Sequence, residues 1–325
     1  MSVLEDVLAI DAPAECERIA QRLREALRDL RRRGLVVGIS GGVDSGVCAA
    51  LAVKAVGPDR VFGLLMPERD SAPETRARAR SLVARLGLPW QERDITATLA
   101  AIGCYSERDA AIREVCPDYR PGWSHKVVLD GGLDGRYNTF RLVVERPDGV
   151  RRVAPLAATQ MLRIMAATNF KQRVRKSLEY FHADRLNFAV VGTPNRLEYD
   201  QGFFVKNGDG SADVKPIAHL YKTQVYALAR ALGLPEEICT AAPTTDTYSL
   251  EQGQDEFFFG LPYAQMDRAL WSRNHDLPPA ELAAMIDVTV ERAERIYRDI
   301  DTKRTTTRYL HRRPLLAGEI VEVHE

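Results

Sequence analysis

Short apolar runs alternate with amphipathic stretches through the N-terminal third of the chain, and that rhythm sets the fold class. Ile19, Leu23, Leu27 and Leu30 share one face of residues 15–33 with arginines opposite, predicting a covering helix that Gly34 ends. Leu35, Val36, Val37 and Ile39 then form a continuous apolar run, as in a parallel strand buried on both faces. A helix is predicted over 44–56, and residues 61–66 read as a second buried strand stopped by Pro67. Ser71, with Pro73 and Glu74 behind it, has the form of a capping box opening a helix to Leu86, which Gly87 closes. Residues 90–95 read as a third strand. Strands and helices at this spacing predict right-handed crossovers and an α/β fold, a doubly wound parallel sheet with flanking helices.

The rhythm fails between 104 and 154, where Pro117, Pro121, Gly131, Gly132 and Gly135 punctuate a polar stretch. This reads as one insertion, 104–154, within a single domain spanning 1–325. Inside it, 139–145 alternates as a strand and Pro147-Asp148-Gly149 turns it back into 151–154, predicting a hairpin. Helical spacing resumes at Leu156 and runs through Met161, Met165, Val174, Leu178 and Phe181 to about Leu186, as one long helix or two abutting ones. Its Met and aromatic stripe suits core packing or a subunit contact. A strand over 188–191 leads into Gly192-Thr193-Pro194-Asn195, a turn at the sheet end where ligands bind in such folds.

Two stretches carry chemistry. In Ser40-Gly41-Gly42-Val43-Asp44-Ser45 the glycines bring backbone N–H groups to the first turn of a helix, a site for phosphate, and two hydroxyls add donors. Asp44 repels an anion there unless a cation lies between them, which points to Mg²⁺. The spacing fits neither a Walker loop nor a dinucleotide fingerprint. The second stretch, 192–222, sets Glu198, Asp209, Asp213, Lys206, Lys215 and Lys222 among glycines and a Phe203-Phe204 pair. Carboxylates hold metal or orient an amine, lysines hold phosphates and aromatic rings offer a stacking face, as a charged, ring-bearing substrate needs. Lys+Arg and Asp+Glu are each 45, so no net positive field draws in nucleic acid. Five cysteines without a C-x-x-C pair fit a reducing cytoplasm and weigh against a disulfide framework or thiol-based sulfur transfer. No apolar stretch approaches the roughly 18 residues of a membrane span, and Glu5, Asp6 and Asp11 are unlike a signal peptide.

S-G-G-V-D-S resembles the pyrophosphate loop of the ATP pyrophosphatases, enzymes of adenine nucleotide alpha-hydrolase-like fold that cleave ATP between its α- and β-phosphates and activate their substrate as an adenylate. Further motifs narrow the resemblance to the NAD synthetase family of ammonia-dependent type. They are Asn169 to Arg173, Gly192-Thr193 to Glu198, Phe203-Phe-Val-Lys206-Asn-Gly-Asp209-Gly-Ser-Ala-Asp213, Leu220-Tyr-Lys222-Thr-Gln and Pro243-Thr244, in that order. The turn reads G-T-P-N-R-L-E where many members have G-T-G-N-K-S-E, and Thr302 stands before Lys303 where they have His.

The resemblance implies that Gly38, Ser40, Gly41, Gly42, Val43, Asp44 and Ser45 hold the phosphates of ATP, with Thr193 and Lys222 as further nucleotide contacts and Thr244 closing over the site. It implies Mg²⁺ shared by Asp44 and Glu198, and deamido-NAD bound by Asn169, Arg173, Phe203, Lys206, Asp213 and Lys303. Asp209 would orient ammonia or take its proton, with Lys222 as its catalytic companion. The implied reaction converts deamido-NAD to NAD through an adenylate, releasing pyrophosphate and then AMP. A glutaminase domain needs roughly 100 residues, more than the N-terminal segment or the insertion holds, so the expectation is free ammonia or a separate ammonia-supplying subunit. A homodimer is also implied. An adenylating synthetase acting on a different carboxylic acid is one alternative, and a non-catalytic nucleotide-binding module is another. Pyrophosphate release with and without added acid separates the three.

Overall fold

A computed structural model describes residues 7–130, 139–241, 248–250, 253, 258 and 260–318. The chain runs through α1 (Ala12–Asp29), β1 (Leu35–Gly38), α2 (Val43–Val56), β2 (Val61–Leu65), α3 (Pro73–Leu86), β3 (Trp90–Glu92), α4 (Thr96–Ala101) and α5 (Cys104–Val115). Strands β4 (Ser124–Asp130), β5 (Thr139–Glu145) and β6 (Arg151–Pro155) follow, then α6 (Ala158–Leu186), β7 (Ala189–Val191) and α7 (Arg196–Gln201). Helices α8 (Lys222–Ala231), α9 (Glu236–Cys239), α10 (Tyr263–Asn274), α11 (Pro279–Ile286) and α12 (Val290–Thr307) complete it.

The main sheet is parallel, in the order β3-β2-β1-β7, with Leu35 paired to both Val61 and Ala189. Alternation along β1 accounts for its two covered faces. Leu35 and Val37 pack with α1, α2 and α8, whereas Val36 packs with Leu64, Val190 and residues of α4, α5 and α6. The predicted α/β sheet with flanking helices is therefore the observed one. Strand order reverses between β1 and β7, and the crevice beyond their carboxyl ends is where such sheets bind ligands. Helices α7 and α10–α12 form a second apolar cluster.

Several predicted boundaries shift for local reasons. Helix α1 stops at Asp29 because Arg31 takes the left-handed conformation (φ 53°). Gly34 instead permits a close approach, since a Cβ there would lie 2.3 Å from the Arg60 carbonyl oxygen. Ser71 does not cap α3; the N-cap is Ala72, and Ser71 Oγ accepts from the Glu68 N–H at 3.2 Å. The strand expected over 90–95 ends at Glu92, because Asp94 Oδ1 accepts from the Thr96 N–H at 2.8 Å and the chain turns into α4. Within 104–154 the hairpin forms as β5 and β6, but β4 adds a third antiparallel strand and 104–115 is helical. The spacing from Leu156 to Leu186 resolves as one helix, α6, in which Val174 and Leu178 reach the core while Phe181 stays 57% exposed.

A buried ion network fixes the loop after β2. Lys171 Nζ of α6 lies 2.7 Å from Glu68 Oε1 and 2.9 Å from Asp70 Oδ2, Arg108 of α5 reaches Asp70 at 2.6 Å, and the Tyr105 hydroxyl donates to Glu68 at 2.8 Å. These groups come from three separate elements, so the network holds Met66, Pro67 and Ser71 in place along the cavity described next.

Candidate active site

A cavity of about 660 Å³ opens at the carboxyl ends of β1, β2 and β7. Its floor is the turn from β1 into α2. Gly41 has φ 85°, and a Cβ on it would lie 2.2 Å from the Thr75 carbonyl oxygen, so both conformation and space demand glycine. The two hydroxyls fold the turn. Ser45 Oγ donates to the Gly42 carbonyl at 3.0 Å and accepts from the Ser40 N–H at 3.2 Å, while Ser40 Oγ accepts from the Gly42 N–H at 3.3 Å. No side chain caps α2, and Gly42, Val43, Asp44 and Ser45 line the cavity at its N-terminus, where the helix dipole favours an anion. Gly38 and Ser40 line the cavity as well. Arg78 Nε donates to the Gly41 carbonyl at 3.3 Å and stands on the same wall. Gly41→Ala is expected to lower folding stability by at least about 1–2 kcal/mol, the cost of the left-handed conformation alone; an unchanged urea midpoint would count against this reading of the turn.

Beside the loop stands a compact charge cluster. Lys222 Nζ, 2% exposed, forms an ion pair with Asp44, whose other oxygen accepts from Asn195 Nδ2 at 3.3 Å. Asn195 caps α7 reciprocally with Glu198: its Oδ1 accepts from the Leu197 and Glu198 N–H groups, and Glu198 Oε2 accepts from the Asn195 N–H at 3.0 Å. Lys222 opens α8, and Asp267 of α10 accepts from the N–H groups of Lys222 and Thr223 at 3.1 and 2.7 Å, fixing that helix end. Burial, reinforced by the charge of Asp44, pushes Glu198 up to about 8. Burial works against the Lys222 ammonium, but Asp44 and Glu198 outweigh it and hold its pKa above the ordinary lysine value. Thr193 lines the cavity beside them.

The far wall comes from α6, the loop after α7, and α12. Asn169, Arg173, Phe203, Lys206, Asp209 and Lys303 all line it. Arg173 Nε donates to the Lys206 carbonyl at 3.3 Å, and Lys206 Nζ donates to the carbonyls of Tyr309 and Arg312 at 2.9 and 3.1 Å. Lys303 Nζ lies 2.5 Å from Asp299 and 2.6 Å from the Phe258 carbonyl. The Phe203 ring stacks on Phe258 at 4.6 Å. Asp209 Oδ1 accepts from the Val205 N–H at 2.7 Å, and burial raises its pKa above the usual carboxylate range.

Among the described residues, Gly41 and Asp213 do not line the cavity as expected. Asp213 is not on the cavity wall; its carboxylate accepts from the Val190 N–H at 2.7 Å and the Tyr180 hydroxyl at 3.3 Å, so it pins the 213–214 segment to β7. Thr244, with Pro243, lies outside the described residues. Conversely, the sequence reading missed Lys176 and Glu179, a buried ion pair on the cavity wall with Glu179 Oε1 against Gly38. Their spacing from Asn169 and Arg173 puts all four on one face of α6, which is the signal that could have found them.

The sequence model of the NAD synthase family matches residues 15–115 and 149–309. The chain is 55% identical over 319 residues to an NH(3)-dependent NAD(+) synthetase of Rhizobium meliloti (strain 1021), covering 98% of this chain and 96% of the relative. It is 37% identical over 290 residues to one of Thermotoga maritima, covering 87% and 97%. In fold it is similar to the solved structure of NMN synthetase from Francisella tularensis, with a TM-score of 0.67 at 20% identity, covering 96% of this chain and 100% of that one. An uncapped helix start beside buried acidic and basic groups, at the reversal of a parallel sheet, is thus joined to close likeness along nearly the whole sequence: the chain belongs to the NAD synthase family.

Proposed function

We propose that the chain is an NH₃-dependent NAD⁺ synthetase that joins ammonia to the nicotinate carboxylate of deamido-NAD at the expense of ATP. The observation that carries this reading is the convergence of Asp44, Lys222 and Glu198 beside the uncapped start of α2, in one cavity with Asn169, Arg173 and Lys206. The polyphosphate of ATP lies on the N–H groups of Val43–Ser45, with Lys222 neutralising charge beside it. Among the described residues no cluster of three or more acidic, His or Cys side chains could cage a metal. The half-buried Asp44 and the buried Glu198 fit Mg²⁺, which takes few protein ligands and completes its shell with phosphate and water. When bound there, Mg²⁺ would supply the positive charge that lets one anion approach another.

A carboxylate oxygen of the acid attacks the α-phosphorus of ATP, and the bond to the β-phosphate oxygen breaks, releasing pyrophosphate. Ammonia then attacks the acyl carbon of the adenylate and expels AMP, leaving the amide. Asp209, with its raised pKa, takes the proton that the entering nitrogen loses. The remaining work is positioning: Arg173 and Lys206 hold the phosphates of the acid, and Phe203 lines its site. Incubating the protein with ATP, Mg²⁺, ammonium and deamido-NAD should yield NAD, AMP and pyrophosphate in equal amounts. Pyrophosphate release that ignores the acid would defeat the proposal.

We further read residues 1–325 as one unit interrupted by an added segment. The added segment is 104–154, and the interval 116–148 that the family model leaves unmatched lies within it and supports the reading. Free ammonia, or ammonia from a separate subunit, is the nitrogen donor. Leu162, Phe170 and Phe181, exposed on α6, support a homodimer through that helix. No helix among the described residues is long and apolar enough to cross a membrane, and five buried free cysteines support a cytoplasmic setting.

A further inference from the structure

Lys222 is the first residue of α8, and the N–H groups of a helix's first turn find no partner inside the helix. The usual remedy is a Ser, Asp or Asn at the N-cap, but that position is Tyr221. Gln224 Oε1 accepts the Tyr221 N–H at 3.0 Å. The N–H groups of Lys222 and Thr223 turn instead to the carboxylate of Asp267 on α10, 45 and 44 positions away, at 3.1 and 2.7 Å. Asp267 is wholly buried, and Met266, Ala269 and Leu270 around it in sequence belong to the second apolar cluster. Burial pushes its pKa up to about 6, against the pull of the two N–H groups and of the Lys222 ammonium. A position chosen for packing would carry an apolar side chain, and a local cap would satisfy the same N–H groups without burying a charge. A carboxylate from α10 does what a local cap cannot: it fixes the first residue of α8 to a second element.

That element also supports the other side of the site. Gln201 Nε2 of α7 donates to Met266 Sδ at 3.8 Å, and Leu197 of α7 packs in the same cluster. Consecutive residues of α10 thus hold the helix that carries Glu198 and the helix that begins with Lys222. Asn274, the last residue of α10, donates to the Tyr221 hydroxyl at 3.5 Å. From these two supported helix starts, Asn195 Nδ2 and Lys222 Nζ meet on Asp44.

We propose that Asp267 is a positioning residue for the reaction: through the backbone of Lys222 and Thr223 it sets where the Lys222 ammonium stands beside Asp44 and the polyphosphate of ATP. The inference rests on the reading of Lys222 as the cation beside that polyphosphate. A lysine side chain delivers its charge to one place only from a fixed backbone, and a displacement of about 1 Å at a reacting centre can cost on the order of 10² in rate.

A double-mutant cycle tests it, each variant's fold being checked by circular dichroism and its urea midpoint. Asp267→Ala is expected to slow single-turnover pyrophosphate release about 10–100-fold and to leave KM for the acid within about twofold, since the cations for the acid lie on the far wall. Asp267→Asn, which keeps one acceptor oxygen, should fall between Ala and wild type. In a Lys222→Met background, itself slow, Asp267→Ala should change the rate by less than about twofold, because the group it acts through is gone. Leu270→Ala, one turn along α10 and buried in the same cluster, lowers stability but should leave the rate of the folded protein within about twofold. An unchanged rate in Asp267→Ala, the same proportional loss with and without Lys222, or an equal slowing in Leu270→Ala would overturn the proposal. Asp267→Asn carries the cycle if the alanine variant does not fold. Calorimetric binding of ATP with Mg²⁺ to the same proteins separates the proposal from the amidation reading, because coupling between Asp267 and Lys222 shows in ATP affinity whatever acid the protein uses. Affinity that falls several-fold in Asp267→Ala only while Lys222 is present supports the proposal even if deamido-NAD is never consumed. Affinity indifferent to Asp267, a loss of equal size in both backgrounds, or no ATP binding by the wild type sinks it.

Discussion

Replacing Asp44 by Asn, or Glu198 by Gln, is expected to slow adenylate formation by at least ~10², the scale on which a single preorganised charge-stabilising group acts. Both replacements spare the local structure. Glu198 accepts the Asn195 N–H in the α7 capping box, and a glutamine amide oxygen can accept it equally well. An Asn at 44 keeps one acceptor oxygen for Lys222, and only the long 3.3 Å contact from Asn195 Nδ2, which needs the second carboxylate oxygen, is lost. What is lost at 44 is one negative charge beside Lys222, and at 198 a carboxyl, pushed up to about 8, that can give up its proton to a divalent cation. Excess Mg²⁺ should therefore restore only part of the rate. Single-turnover pyrophosphate release near the wild-type rate in either variant would remove these carboxylates from the metal site.

Features written in contiguous residues were legible in the sequence. The buried run through Val37, the glycine turn and the helix after it are neighbours along the chain, and their spacing already described the strand, turn and helix start that the structure shows. Features assembled from distant residues were not. Lys171, Glu68, Asp70 and Arg108 meet across about 100 positions of sequence, and nothing in local pattern tells a buried ion network from solvated charges. Ser71 had the right spacing for a capping box and was overruled by a nearer backbone donor, Glu68 N–H. Asp213 looked like a ligand because it sits in a polar loop with Asp209, yet the N–H of buried Val190 in β7 claims its carboxylate. Strand β4 was hidden by the Pro and Gly residues around it, and its pairing with β5 is specified only in three dimensions.

With ammonia, ATP and Mg²⁺ supplied, deamido-NAD is expected to give NAD and AMP, and free nicotinic acid to be at least ~10² poorer in kcat/KM, two lost charge-assisted contacts at roughly 1.5–3 kcal/mol each being more than enough. The structure narrows which cations carry this preference. Lys303 is already held by the Asp299 carboxylate, so its charge is locally compensated. Lys206 donates to the Tyr309 and Arg312 carbonyls, which are neutral, and Arg173 to the carbonyl of Lys206, so both keep charge to offer the phosphates of a dinucleotide. Lys206→Ala should accordingly weaken deamido-NAD by about 10–100-fold while leaving ATP, bound on the α2 side of the cavity, within a few-fold. Because the same lysine also ties down the turn at Tyr309, Lys206→Arg serves as the control: an arginine can reach those carbonyls and keep the charge, and should retain most of the affinity. If deamido-NAD at millimolar concentration drew no pyrophosphate from ATP, while the protein stayed folded and bound the nucleotide, the acid would have to be sought among carboxylates without a pyrophosphate.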